Sequence, residues 1–216
     1  MSSHRRLIAQ RIGIFVATVA YFTAGYLALN LFNEHRSYYV DVSLPLEAHL
    51  PFVPEAAFPY GLVFPTVVLG CLSIPVRDIA LFRRGALLLV GNMTLAFLLF
   101  LALPVRAMYR PEVVPGGGWA RDLAAFWFYV DRPTNLFPSL HVNVSLVAAL
   151  LGWRHSRAIG AIAFALASAV AISTVLLHQH YLADIAAAAL MAFGSYWMTL
   201  GREGAATAVW RRLTSA

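Results

Sequence analysis

Lysine is absent from this chain of 216 residues, and all 16 basic side chains are arginine. Charge of either sign is scarce, at 12% of residues against roughly one quarter in ordinary soluble domains. The single cysteine, Cys71, falls inside an apolar run, which excludes an internal disulfide and a thiolate metal cluster. No segment alternates with period two, so a barrel is disfavoured, and no internal repeat of the kind usual in transporters is visible. What is abundant is apolar: 60% of residues are hydrophobic and the mean hydropathy is +0.70. That composition reads as an integral membrane protein.

Apolar runs lie at about 8–32, 58–76, 85–104, 139–153, 158–177 and 181–200. Each crossing of a hydrocarbon core about 30 Å thick takes roughly 20 residues, so six crossings nearly use up the chain. The fourth run is short and needs its flanks to span. The first is too long for a secretory h-region and carries no small-residue cleavage site, so it reads as a retained anchor. The expected fold is an all-α bundle of six transmembrane helices forming one catalytic domain.

Arginine placement gives an orientation. Arg5, Arg6, Arg11, Arg77, Arg83, Arg84, Arg154, Arg157, Arg202, Arg211 and Arg212 fall at one set of helix ends, against Arg36, Arg106, Arg110, Arg121 and Arg132 at the other. The positive-inside bias then puts both termini in the cytoplasm and the connections 33–57, 105–138 and 178–180 outside. The net charge of +6 is read as a topology signal, since the arginines are dispersed among loop ends and leave no nucleic-acid footprint. Within the longest connection, broken by Pro111, Pro115 and Gly116 to Gly118, the aromatic stretch 119–130 predicts a helix lying in the headgroup layer.

Few polar residues sit where they need a reason. An ionisable group at membrane depth costs about 2.5–3.5 kcal/mol on insertion scales. His180 and Asp184, four apart on a helix, share a face, and the carboxylate can fix the imidazole tautomer. A structural bond pinning two helices fits the pair equally well. Pro138 and Ser139 suit a helix start, whose free amides form an anion site beside His141. A capped helix with an interfacial histidine fits that stretch too. Arg110-Pro111, with Arg106 four residues earlier, offers a planar cation for phosphate oxygens or for lipid headgroups. His178 lies on a different helical face from His180, which argues against a His-x-His metal site.

Together these residues resemble the type 2 phosphatidic acid phosphatase superfamily. Its second motif is similar to Pro138-Ser139-Leu140-His141, and its third to Ser173-Thr174, five residues, His180, three residues, Asp184. Two positions depart from the pattern: Thr174 stands for the third-motif arginine, and the first-motif lysine position is Leu103, with Arg106 available as a replacement. Asn135-x-Phe-Pro-Ser-Leu-His with Ser-Thr-x5-His-Tyr-x2-Asp looks like the inositolphosphotransferase-like branch.

The resemblance implies a metal-independent lipid phosphatase in which His180 attacks phosphorus, Asp184 orients it and His141 is the general acid. It also implies that Arg110, Ser139, Arg106, Asn135 and Thr174 surround the phosphate. No cofactor is implied. Expected alternatives are a phosphotransferase moving a phosphorylated, inositol phosphate-like headgroup between lipids, and a non-enzymatic lipid transporter. The expected partner is a membrane lipid phosphate, with oligomeric state open. The all-Arg, Ala-rich composition points to a bacterial cytoplasmic membrane with the site facing the periplasm.

Overall fold

The computed structural model, described for residues 3–114 and 117–201, is helical, and among those residues no strand forms beyond isolated bridges at Val40–Val105 and Arg106–Thr134. The helices are α1 (Ser3–Glu34), α2 (Ala57–Tyr60), α3 (Val63–Ser73), α4 (Ile79–Ala102), α5 (Gly118–Val130), α6 (Leu140–His155), α7 (Arg157–Leu176) and α8 (Leu182–Tyr196). Each expected apolar run falls mainly in helix, with 58–76 divided between α2 and α3, and capping sets several of the starts. The side chains of Asp78, Ser139 and Ser156 accept from Leu81, Val142 and Ile159 amides, satisfying donors that each first turn leaves free. The Asp78 cap explains why α4 begins six residues before its apolar run and carries Arg83 and Arg84 on its first turns. Pro115 and Gly116, with Arg202, Arg211 and Arg212 of the arginine count, lie outside the described residues.

Among the described residues, five helical segments are long and apolar enough to cross a membrane: His4–Glu34, Pro54–Ser73, Ile79–Ala102, Arg157–Leu176 and Leu182–Gly201. The remaining expected crossing, α6, has 16 residues and rises only about 24 Å. It still joins both ends of the bundle. At its start Ser139 N donates to Asp184 O beside the beginning of α8, and at its finish Arg154 donates to Leu200 O beyond the end of α8.

α6 is the core helix, enclosed by α3, α4, α7 and α8. Ten of its 16 residues are buried, so it has no polar stripe to show and its neighbours must approach closely. Gly70 of α3 makes one such approach, because a Cβ there would lie 2.5 Å from Ala148 O. Gly70→Val is expected to cost about 1–3 kcal/mol by overpacking, read as a lowered Tm in detergent. Polar bonds then fix the register of the packed helices: Asn143 Nδ2 donates to Asn92 Oδ1 (3.1 Å) and Ala188 O (3.2 Å), and Asn92 Nδ2 to Ser195 Oγ (2.9 Å). Interhelical bonds of this type average only about 0.6 kcal/mol, so they select an alignment more than they supply stability.

α1 packs on α4 and leaves much of its apolar surface exposed. Tyr21 packs on Phe97 and bonds Thr94 at mid-helix, and polar bonds hold both ends. Arg11 donates to Ile74 O (2.7 Å) and Cys71 O (2.8 Å), and Asn33 to Phe100 O (3.1 Å). The three connections expected on one side do gather at one end: Val40 N bonds Pro104 O, Val53 N bonds Leu176 O and Ala107 N bonds Pro133 O.

Candidate active site

His180 is placed by the way α7 stops. Gln179 N donates to Thr174 O and His178 N to Val175 O, both at 2.9 Å, with His178 at φ 52°. This is a Schellman motif whose left-handed position is filled by histidine instead of the usual glycine. His180 N also donates to Thr174 O (3.1 Å), so the turn delivers the imidazole directly to the start of α8. The His178 ring braces two loops, with Nδ1 2.8 Å from Tyr109 O and Nε2 3.2 Å from Leu50 O. His178→Gly is expected to keep the turn while losing the braces. His178→Val is expected to be the less stable of the two by about 1–2 kcal/mol, because a β-branched residue resists positive φ; thermal unfolding compares them.

Asp184, wholly buried, uses one oxygen for two purposes. Its Oδ2 accepts from Tyr181 N (2.8 Å), closing the first turn of α8, and meets His180 Nδ1 at 3.2 Å. A proton on Nδ1 facing this carboxylate leaves His180 Nε2 with its lone pair. Burial pushes the neighbouring Tyr181 hydroxyl up to about 12, so it stays protonated, donating to Arg106 O and accepting from Met108 N. The loop carrying Arg110 is thereby tied to the residue after His180.

His141 lies in the first turn of α6, and its partners come from distant segments. Its Nε2 is 3.5 Å from Asp131 Oδ2, and its Nδ1 is 3.5 Å from Tyr60 OH. Tyr60 OH donates to Asp131 Oδ2 (2.7 Å) and Tyr26 OH to Asp131 Oδ1 (3.1 Å). Burial by itself would raise the Asp131 pKa. The opposing pull of His141, by charge and hydrogen bond, with the hydroxyls of Tyr60 and Tyr26, holds it below the ordinary carboxylate value. Because the folded value is depressed, the contribution of this clamp to stability is full above the unfolded carboxyl pKa of about 3.9 and is lost as pH falls through the lower folded value. Thermal unfolding should therefore show this loss only in the acid range, and Asp131→Asn should abolish that component.

The His141 and His180 rings meet edge to face with centroids 5.8 Å apart. Arg110 joins their supports: Nη1 donates to Asp131 O (2.6 Å) and Gln179 Oε1 (3.1 Å), Nη2 donates to Phe128 O, and the guanidinium lies 3.9 Å over the Phe128 ring. These bonds leave one Nη2 proton and the Nε proton for a further acceptor. Desolvation lowers its pKa to about 10, opposed by the nearby Asp131 charge, so it remains a cation at neutral pH. Ser139, fully buried, accepts from Val142 N and keeps its own hydroxyl proton to donate.

Three residues expected at the phosphate have other partners. Arg106 is exposed with its guanidinium 5.3 Å over the Tyr39 ring. Asn135, at φ 62°, accepts from Asn33 and donates to Asn30 Oδ1 (2.7 Å), tying the segment before α6 to α1. The Thr174 hydroxyl donates to Ala171 O (2.7 Å), and its contribution to the site is the backbone carbonyl of the Schellman turn. Asp131, Tyr26 and Tyr60 were missed by sequence reasoning. Asp131 adjoins Arg132 and reads as half of a solvated pair, whereas Arg132 faces Glu34 at 3.6 Å. The two tyrosines sit in apolar runs with no spacing that links them to it.

Comparison with curated proteins and with solved structures finds no match. A family model described as the PAP2 superfamily, the type 2 phosphatidic acid phosphatases, matches residues 30–198, which include both histidines, Asp184, Asp131 and Arg110. With that match spanning most of its length, and carrying a phosphatase-like enzyme function on lipid phosphoesters in general, the chain belongs to the PAP2 superfamily.

Proposed function

We propose that the protein is a membrane lipid phosphatase that hydrolyses a lipid phosphate monoester or diphosphate through a phosphohistidine at the outer membrane–water interface, without a metal. The observation that carries this reading is the convergence of His180, with Nε2 unoccupied, on His141 and the Arg110 cation at one end of the bundle. His180 Nε2 attacks phosphorus and the P–O bond to the lipid breaks. The alkoxide that leaves takes a proton from His141. Water then attacks the phosphohistidine, giving its proton back to His141, and the P–N bond breaks to release inorganic phosphate. Asp184 steadies the cationic ring through Nδ1, while Arg110, Ser139 and amides at the start of α6 bind the phosphoryl oxygens. Asp131 is a positioning residue for His141.

In this reading six helices cross a bacterial cytoplasmic membrane with both termini inside. The site end faces the periplasm and α5 lies in the headgroup layer, in keeping with the arginine asymmetry and the exposed rings of Trp119, Phe126 and Tyr129. The 16-residue α6 is short for a crossing, and its enclosure by four helices spares it contact with lipid. Purified protein is expected to release phosphate from a panel of lipid phosphates in the presence of a magnesium chelator. No release from any member of the panel would remove the hydrolase reading.

A phosphotransferase is the second reading. The proposed nucleophile is only 8% exposed, so water has restricted access. Leu140 and Thr174, standing where the superfamily motifs carry glycine and arginine, resemble the inositolphosphotransferase-like branch. Product seen only as a new phospholipid when an acceptor lipid is supplied would establish it over hydrolysis.

A further inference from the structure

An apolar cleft of about 400 Å³ runs down the bundle between α1 and α3. It exists because α1 leans on α4 while α3 packs on α6 and α7, which splays the two walls. Val19 and Phe22 of α1 face Phe64 and Val68 of α3, with Met93 and Val144 at the back. Val19, Phe64 and Val68 are each more than 40% exposed, so the cleft is open sideways to whatever surrounds the bundle.

Polar bridges between its walls bound the cleft at each end. At the site end, Tyr26 of α1 and Tyr60, just before α3, both hold Asp131, and His141 lines the cleft beside them. At the opposite end Arg11 of α1 donates to Cys71 O and Ile74 O at the finish of α3, its guanidinium lying 4.3 Å over Phe82. The step from Ile14 to Tyr26 along α1 gives the slot a length of about 18 Å.

The two histidines relate differently to this slot. His141 lines it and His180 does not. In an in-line displacement the nucleophile and the leaving oxygen lie on opposite sides of phosphorus. With His180 as nucleophile, the leaving oxygen falls on the His141 side, and the carbon chain attached to it continues into the cleft.

We infer that the α1–α3 cleft is the binding site for one hydrocarbon chain of the lipid alcohol that leaves from the phosphate, and that Arg11 is the stop that limits its length. This rests on the proposed His180 and His141 roles and adds a length limit: the chain on the leaving group fills no more than the cleft's length of about 18 Å. Hydrocarbon fits a wall whose exposed surface is almost wholly aliphatic and aromatic, and a chain that reached Arg11 would meet a desolvated cation already committed to two carbonyls.

Two measurements test this. In the first, a lipid phosphate bearing a diazirine at the end of its chain is irradiated with the full chain in detergent or bilayer discs. Adducts are expected on Ile14, Cys71 or Ile74 and should be suppressed by the unlabelled lipid phosphate. Adducts scattered over the outer face of the bundle, or unaffected by competitor, would overturn the inference whether or not the protein turns over substrate.

In the second, kcat/KM is followed along a series of alkyl phosphates from about four to about sixteen carbons. Val68→Trp, which fills the slot, is expected to cost about tenfold or more on the longest members and nothing on the shortest. Arg11→Leu, if it folds, is expected to extend the longest chain accepted. A uniform effect of Val68→Trp along the series would sink the cleft and leave the histidine chemistry standing. Competed labelling with no turnover of any phosphate would do the reverse.

Discussion

His180→Ala protein is expected to release phosphate from lipid phosphates roughly 10⁴-fold or more slowly than the intact chain and to form no acid-labile phosphoenzyme. An effect of that size follows because the substitution removes the atom that bonds to phosphorus, whereas loss of a binding contact lowers affinity by a decade or two. The fold should survive. Asp184 Oδ2 keeps the Tyr181 amide after the ring is gone, and the Schellman turn is made by backbone groups of residues 174–180. An unchanged Tm beside lost turnover therefore separates chemistry from unfolding. Asp184→Asn in the same background should add almost nothing, since groups that act as a unit are not additive. Phosphate release that persists in His180→Ala would take the nucleophile assignment away.

Asp131→Asn is expected to lower kcat on alkyl phosphates by about 10²–10³-fold, the usual range for losing an effective general acid, with KM little changed. The carboxylate faces His141 Nε2 and gathers both tyrosine hydroxyls, so replacing it leaves the ring without a charged partner and with one hydroxyl poorly paired. A merely structural role would slow every substrate alike. An aryl phosphate supplies a leaving group that departs without a proton, so on that substrate the same variant should lose much less. Equal losses on alkyl and aryl phosphates would mean that Asp131 does not act through the acid. Asp131→Ala is expected to be worse for folding by about 1–3 kcal/mol, because it strands two hydroxyls in a buried place.

What was legible in the sequence was local or periodic. The helices followed from runs of apolar residues, and the His180–Asp184 pair from a four-residue spacing that one turn of backbone enforces. The α6 start followed from Ser139, which caps it as expected. Boundaries slipped where a cap overrode the apolar pattern, as Asp78 does at α4. The environment of His141 was not legible. It depends on Tyr26, Tyr60 and Asp131, which lie on three separate segments and meet only after α1, α2 and the end of α5 have packed. Nor was the partner of Arg106 legible: motif spacing falls on Leu103, Arg106 was only a possible replacement for its charge, and its guanidinium lies over Tyr39.

The family match begins at residue 30, inside α1. Asn30 and Asn33, which anchor that helix to the segment before α6, fall within it, and the part of α1 from Ile14 to Leu27 that walls the cleft falls before it. α1 thus reaches both places, with Tyr26 on the Asp131 clamp and Ile14 to Val19 on one wall of the cleft. A chimaera that exchanges only the first 20 residues keeps Tyr26 on Asp131 and, if the cleft holds the lipid chain, should shift the preferred chain length while retaining its reaction.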